Sequence, residues 1–443
     1  MKYSLAKESM TPDKSVFLAG FGGRDRKSEG VLDNLYIRVV LLQENQTLLL
    51  LTFDALGGDR SFASGIKNAL YEKFGLKEDE ILLNYSHTHC SVFLTGEDPD
   101  CRKGNYSMNQ DRFPLLGEEV DYSEDIRFYH QLTEKIVASV QRCYETLREG
   151  ELWLGTGKTE IAISRRLLTE SGVQFRPNPE AEVDRDLTVM RLSDADGKVE
   201  GIIFSCGCHP TAMGGYQICA EFPGQACRYL DELYPDSTAV FLQGCGADLK
   251  PAYGVEGNSF KTCNMEEIEQ IGSELGKTVD DLIKRNQLTR IHGPFSSRLA
   301  NIRLYTEIWE ASIFEKMLLE EKSEYTRAAL RRLIKAIQEN TDKKSLPYSI
   351  SVWHLGETVK IIAMEGEVPT ELSLTMKRLF HEYQTVVLGY SNSVMTYIPT
   401  RKILREGGYE AEAYVLHGYR GPFLPETEDM ILGAAVRIGL LND

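Results

Sequence analysis

Four times along this chain a short, uncharged apolar run stops beside a residue able to bind a metal ion. Ile81-Leu82-Leu83-Asn84-Tyr85 leads into Ser86-His87-Thr88-His89-Cys90, and Ile202-Ile203-Phe204 leads to His209 and Pro210. Residues 237–242 open into Gln243-Gly244-Cys245-Gly246-Ala247-Asp248, and Ile361-Ile362-Ala363 leads to Glu367. Runs of this length and composition read as buried strands. Open α/β sheets keep their ligands at the carboxyl ends of such strands. On a strand, His87 and His89 stand two apart and share a face. Taken alone, the pair fits metal binding or catalysis, and fits equally two histidines hydrogen-bonded at a strand end.

The intervening sequence alternates between the two regular periodicities. Residues 37–42 and 47–53 form a hairpin pattern, as do 348–355 and 358–363 around Gly356-Glu357. Helical spacing runs over 62–74, ending at Gly75, and over 129–147, 222–234, 265–284, 370–381 and 426–440. Further strands are expected at 151–155, 187–192, 297–305 and 384–388. Residues 308–344 are charged, with Leu, Ile and Tyr on one stripe, and predict a solvated helical hairpin rather than a nucleic-acid surface. The glycine-rich stretch 19–24 reads as a turn and only weakly as a phosphate cradle, since no Gly-Lys-Ser/Thr follows. Residues 92–122 predict an irregular wall of a site, and 389–425 an ordered loop. No internal repeat or linker is visible in the sequence. The expectation is an α/β fold: one large domain over 1–443, with mixed β-sheets at the centre flanked by α-helices.

Charge and cysteine usage narrow the function. The chain has 443 residues and a formal net charge of −16. That acidity argues against nucleic acid as a partner and against docking on anionic membranes. No apolar run approaches the roughly 18 residues of a membrane-spanning helix. The polar start Met1-Lys2-Tyr3-Ser4-Leu5-Ala6-Lys7-Glu8 lacks the pattern of a secretory signal, which predicts a cytoplasmic protein. The nine cysteines (90, 101, 143, 206, 208, 219, 227, 245, 263) contain no Cys-x-x-Cys pair, so they read as free, buried thiols.

The strand-end residues suit one chemistry. Zinc in a hydrolytic site takes three or four N/O ligands and leaves a position for water, whose pKa it lowers to about 7. His87, His209 and Glu367 are ligands of the right type; Asp248, taken alone, reads more readily as a turn residue.

Ser86-His87-Thr88-His89, His209-Pro210-Thr211, Gly366-Glu367 and Thr396-Tyr397-Ile398-Pro399-Thr400, in this order, resemble the catalytic domain of the neutral/alkaline non-lysosomal ceramidases, zinc amidases that cleave the N-acyl bond of ceramide. The resemblance runs from near Ala19 to near Tyr414. It implies that His87, His209, Glu367 and Tyr397 hold Zn²⁺. It implies that His89 stands beside the reacting water as general base or acid. Tyr409, 12 residues after Tyr397, matches a second tyrosine that hydrogen-bonds in the site. Arg165, in Ser164-Arg165-Arg166, loosely matches an arginine of the family.

The chain departs from that family in three ways. In Ala247-Asp248-Leu249-Lys250-Pro251-Ala252, Lys250 stands where the family has a serine important for activity. A lysine there can bind a substrate carboxylate, steady an oxyanion, or pair with a nearby acid. The family's C-terminal immunoglobulin-like domain and its secretory signal have no counterpart in the 443 residues. The expected function is hydrolysis of a small polar amide, ester or lactone rather than of ceramide, with His89, Tyr409, Lys250 and Arg165 serving the reaction. The alternatives are hydrolysis of a carbohydrate-derived compound, or a binding protein that kept the fold without the reaction. The expected partner is a small-molecule substrate, and self-association is left open.

Overall fold

The computed structural model describes residues 1–22, 24–97, 123–285 and 287–440. From residue 98 on, the expected wall over 92–122 lies outside the described residues, as do Gly23 and Cys101.

Strands β1 (Lys2–Ser9), β2 (Tyr36–Gln43) and β3 (Thr47–Phe53) form an antiparallel meander. Helix α1 (Arg60–Phe74) then crosses back, and β4 (Ile81–Tyr85) pairs in parallel with β3. The crossover is needed because parallel neighbours cannot be joined by a tight turn. The helix begins where Asp59 accepts the Phe62 N–H (2.6 Å) and ends at Gly75 in the left-handed conformation. Helix α2 (Ser123–Glu145) follows and packs on β1 and β2.

The same order then recurs twice. Strand β5 (Glu151–Lys158) is followed by a hairpin of β6 (Ala162–Thr169) and β7 (Gly172–Asn178), then by β8 (Asp186–Ser193) and β9 (Val199–Cys206). Helix α3 (Glu221–Leu233) leads to β10 (Thr238–Gln243), parallel to β9, and α4 (Met265–Lys284) closes the unit. In the third unit β11 (Phe295–Tyr305), the helical pair α5 (Ala311–Glu320) and α6 (Glu324–Gln338), β12 (Ser345–Leu355) and β13 (Val359–Met364) come first. They are followed by α7 (Thr370–Leu379), β14 (Gln384–Leu388) parallel to β13, and α8 (Thr427–Gly439).

The three sheets therefore read β4-β3-β2-β1, β10-β9-β8-β5 and β14-β13-β12-β11, the first two each with a two-residue edge strand added. The topology repeats three times, although no repeat is visible in the sequence. The repetition left no trace there because a sheet face needs only apolar side chains of suitable volume at alternate positions.

Each unit buries a core between its sheet and its own helices. A fourth core joins them: Leu50 and Leu82 from the first sheet meet Met190 and Val240 from the second and Trp353 and Ile361 from the third. Strands β4, β10 and β14, each parallel to a neighbour in its own sheet, meet at their carboxyl ends. Their ends are pinned by Asn84, which donates to the carbonyls of Gln243 (3.3 Å) and Gly389 (3.0 Å) and accepts the Gln243 N–H (2.7 Å). The expected mixed sheets flanked by helices are met, and no helix among the described residues is long and apolar enough to cross a membrane.

Each unit also carries an excursion between its first and second strands: residues 10–35, the β6–β7 hairpin, and α5–α6. The helical hairpin expected over 308–344 is the third of these. The β6–β7 hairpin and β1 escaped the sequence reading because both mix charged residues into the strand, leaving no clean alternation. Within 389–425, expected as loop, the short helices Arg401–Glu406 and Tyr409–Glu412 form.

Candidate metal centre

Three residues after the end of β3, β9 and β13 stand Leu56, His209 and Glu367. The loops after the partner strands β4, β10 and β14 carry His87 and His89, Gly246 and Asp248, and Tyr390 and Tyr397. The repeated topology brings these six loops to one end of the central core, so residues spread over more than 300 positions converge.

The imidazoles meet through their Nε2 atoms. His89 Nε2 lies 3.3 Å from His87 Nε2 and 3.0 Å from His209 Nε2. Glu367 Oε2 lies 3.2 Å from His87 Nε2 and 3.8 Å from His209 Nε2. All four residues are buried. Two ligands of a tetrahedral zinc at 2.0–2.1 Å stand about 3.3 Å apart, so these separations suit a shared ion.

The opposite ring nitrogens fix the tautomers. His87 Nδ1 lies 2.5 Å from the Leu56 carbonyl and His209 Nδ1 3.2 Å from the Gly246 carbonyl. A carbonyl only accepts, so each Nδ1 carries the proton and each Nε2 turns a lone pair inward. Among the described residues, Glu367 Oε2 has no hydrogen-bond partner. Two lone pairs and a carboxylate oxygen facing one another out of water are repulsive unless a cation stands among them. The residues therefore fit a metal ion. Burial, and then the charges of the neighbouring groups, hold the His89 and His209 imidazoles well below their usual pKa, so both are neutral.

The histidines reach this arrangement by a different route from the one expected. β4 ends at Tyr85, and His87 adopts a left-handed backbone, φ +64°. The turn, and not strand alternation, brings the two rings edge-on at 5.0 Å. Tyr390, also left-handed at φ +49°, packs its ring 4.4 Å from His87, and its hydroxyl lies 3.3 Å from His209 Nδ1. Tyr390 was missed in the sequence, although it follows an apolar strand end as His87 does.

Glu367 and Tyr397 are neighbours through their backbones: the Glu367 N–H donates to Thr396 and the Ile398 N–H to Glu367, each at 2.9 Å. Gly366, at φ +78°, permits this approach, since a methyl there would stand 2.8 Å from the Thr396 carbonyl. The Tyr397 hydroxyl accepts a hydrogen bond from Arg165 Nη2 (3.1 Å). Burial and the Glu367 charge push the Tyr397 phenol up, and Arg165 opposes them. Arg165 is buried and held by Glu410 (Nε to Oε1, 2.9 Å), which also accepts from Arg166 (2.5 Å). Burial pushes the Glu410 carboxyl up, but the two guanidinium groups outweigh it and hold it below the usual range. The Tyr409 ring stands perpendicular to that of Tyr397 at 5.3 Å and is 41% exposed. Lys250 Nζ donates to the Thr211 carbonyl (2.9 Å) and hydroxyl (3.1 Å).

Asp248 turns elsewhere. Its Oδ1 accepts the Thr370 N–H (2.8 Å), placing the carboxylate at the start of α7, where the helix dipole favours an anion. The expected turn around Gly20 stands beside the site. It lies against His89, and Arg24 ties it there by donating to the carbonyls of Ala19 (2.7 Å) and His89 (2.6 Å).

No family model matches the chain. Among solved structures, the chain is similar to a neutral ceramidase from Pseudomonas aeruginosa, with 16% identity and a TM-score of 0.73 over 100% of this chain and 75% of that one. A ceramidase complexed with C2 matches with the same identity and TM-score, over 99% of this chain and 75% of that chain. The likeness establishes a shared fold over the whole chain.

Proposed function

We propose that this chain is a metal-dependent hydrolase of neutral ceramidase type, which cleaves a small polar amide, ester or lactone. The observation that carries the reading is the convergence of two Nε2 lone pairs, on His87 and His209, with a Glu367 oxygen that has no donor among the described residues. His87, His209, Glu367 and Tyr397 would hold Zn²⁺. When bound, that ion supplies Lewis acidity and lowers the pKa of a water molecule to about 7. The shared fold with structures described as ceramidases supports the reaction class.

The chain's own residues then have defined tasks. His89 is neutral and buried beside the other imidazoles, so it takes the proton of the attacking water and returns it to the leaving group. Arg165 keeps the Tyr397 oxygen oriented while Glu410 neutralises the guanidinium charge. Tyr409 offers a phenol to the carbonyl oxygen as charge builds on it. A binding protein without the reaction is disfavoured, because unpaired buried ligands cost stability and serve no purpose without an ion. The eight free cysteines among the described residues are all buried and suit the reducing cytoplasm.

The test is elemental analysis of the purified protein with a hydrolysis screen over short N-acyl amides, esters and lactones, with and without a chelator. We expect about one zinc per chain, chelator-sensitive turnover, and loss of turnover but not of zinc in His89→Ala. Protein that binds no metal, or turnover indifferent to the chelator, overturns the reading.

A further inference from the structure

The first two excursions reach the metal centre, and the second carries an arrangement that the proposed reaction does not use. Lys250, on the short strand Leu249–Pro251, pairs with β6 opposite Ile163. Its side chain reaches to Thr211, whose N–H donates to the His209 carbonyl (2.8 Å), so the ammonium is tied to the segment that carries a metal-ligand candidate. An ammonium has three N–H donors, and Thr211 accepts two of them. Two aromatic rings flank it: Phe260 at 5.3 Å and Phe175 at 5.9 Å, themselves packed edge to face at 5.9 Å. Phe175 also covers Arg165 at 5.2 Å and is 53% exposed. The same ring thus spans from Lys250 to the guanidinium that holds Tyr397.

The charges around this corner do not balance as they do two and three residues further along β6. Arg165 and Arg166 are answered by Glu410 and Glu406. Among the described residues no carboxylate forms an ion pair with Lys250. Glu221, an acid whose charge it feels, is turned to the N–H groups of Met213 (2.8 Å) and Phe222 (3.2 Å). Burial, and then Arg165, bring the Lys250 ammonium down to about 8, which leaves it charged at neutral pH and short of a counter-ion. In a chain of net charge −16, a partly buried cation held open beside the reacting centre is a selective anchor for an anion.

We propose that Lys250 is the carboxylate-binding group beside the candidate metal centre, so that the substrate carries a carboxylate a few bonds from the scissile carbonyl, flanked by Phe175 and Phe260. This assignment rests on the hydrolase reading above and gives its substrate class: an N-acyl amino acid or a comparably small acidic ester or lactone. The lysine then acts in binding, not in the bond-breaking step.

The experiment is calorimetric binding of N-hexanoylglycine and of its uncharged amide, N-hexanoylglycinamide, to the full chain as purified and again after chelation. Chelation removes any direct hold of the carboxylate on a metal. We expect the acid to bind about 10- to 100-fold more tightly than the amide in both states, as a charge-assisted bond allows. Lys250→Met should erase that preference and Lys250→Arg should restore most of it. Equal binding of acid and amide, or a preference that survives Lys250→Met, overturns the proposal. Should Lys250→Met fail to fold, the ratio of acid to amide in the unaltered protein decides alone, a ratio near one being fatal. Failure of the hydrolase reading looks different: no amide, ester or lactone is turned over, while the preference for the acid persists.

Discussion

The Cα of Gly20 lies so close to the His89 imidazole that a methyl group built on it would stand 2.3 Å from Nδ1. Gly20 also adopts φ +94°, a conformation that strains any other residue. The ring therefore has its position only because position 20 has no side chain. Gly20→Ala should push His89 aside and lower kcat/KM by about 100-fold, the usual cost of displacing a reacting group by about 1 Å. Zinc content should be unchanged, since the ligand candidates are untouched. Full activity in this variant would show that His89 does not act from the position seen here.

Glu367 gives the test of the ion itself. With zinc bound only by the folded chain, saturation at about 1,000 times the dissociation constant stabilises it by about 4 kcal/mol. Chelation should therefore lower Tm, and added zinc should restore it. In Glu367→Gln the carboxylate charge is gone, so metal content should fall and Tm should respond little to chelator. A chelator-induced drop as large as that of the unaltered protein would remove Glu367 from the ligand set.

Glu410 and Glu406 face the same arginine from different environments. Glu410 is buried between Arg165 and Arg166, whereas the Glu406 side chain keeps 20% of its exposure. Glu410→Gln leaves buried guanidinium charge uncompensated and should cost about 3–5 kcal/mol in urea unfolding. Glu406→Gln should cost about 1 kcal/mol or less. Equal losses would mean that water screens both carboxylates alike.

Glu221 predicts a pH dependence. Burial pushes its carboxyl from 4.5 up to about 6, although the N–H groups of Met213 and Phe222 pull the other way. Between those values the folded chain keeps a proton that the unfolded chain has released, so the stability from this group is present below pH 4.5 and is lost as pH rises to 6. Relative to Glu221→Gln, the unaltered protein should lose about 2 kcal/mol across that window. Parallel stability curves for the two proteins would refute the shift.

Much of the scaffold was legible from local pattern. Helix α1 could be read from its spacing and from Gly75, and α4 from the apolar stripe through Ile268, Ile271, Leu275 and Val279. The strands ending before His87, His209 and Glu367 could be read from their apolar runs at 81–83, 202–204 and 361–363, which stay uncharged although Glu200 and Lys360 stand near the starts of β9 and β13. Lys250 was legible as an oddity but not as a contact, since nothing local tells a lysine that it will reach Thr211.

The sequence by itself determined most of the strands and helices, though not β1, the β6–β7 hairpin or the short helices at 401–412, and it determined which side chains at strand ends can bind a cation, because those properties depend on neighbours within a few residues. The tertiary structure alone decided that three units of one topology close around a common core, that Asn84 pins their central strands together, and that His87, His209 and Glu367 share a point in space. It also made Gly20 the backstop of His89 and Arg165 the partner of Tyr397. Those relations join residues 69 to 305 positions apart, and only the packing of one sheet against the next, which no local preference encodes, brings them within reach.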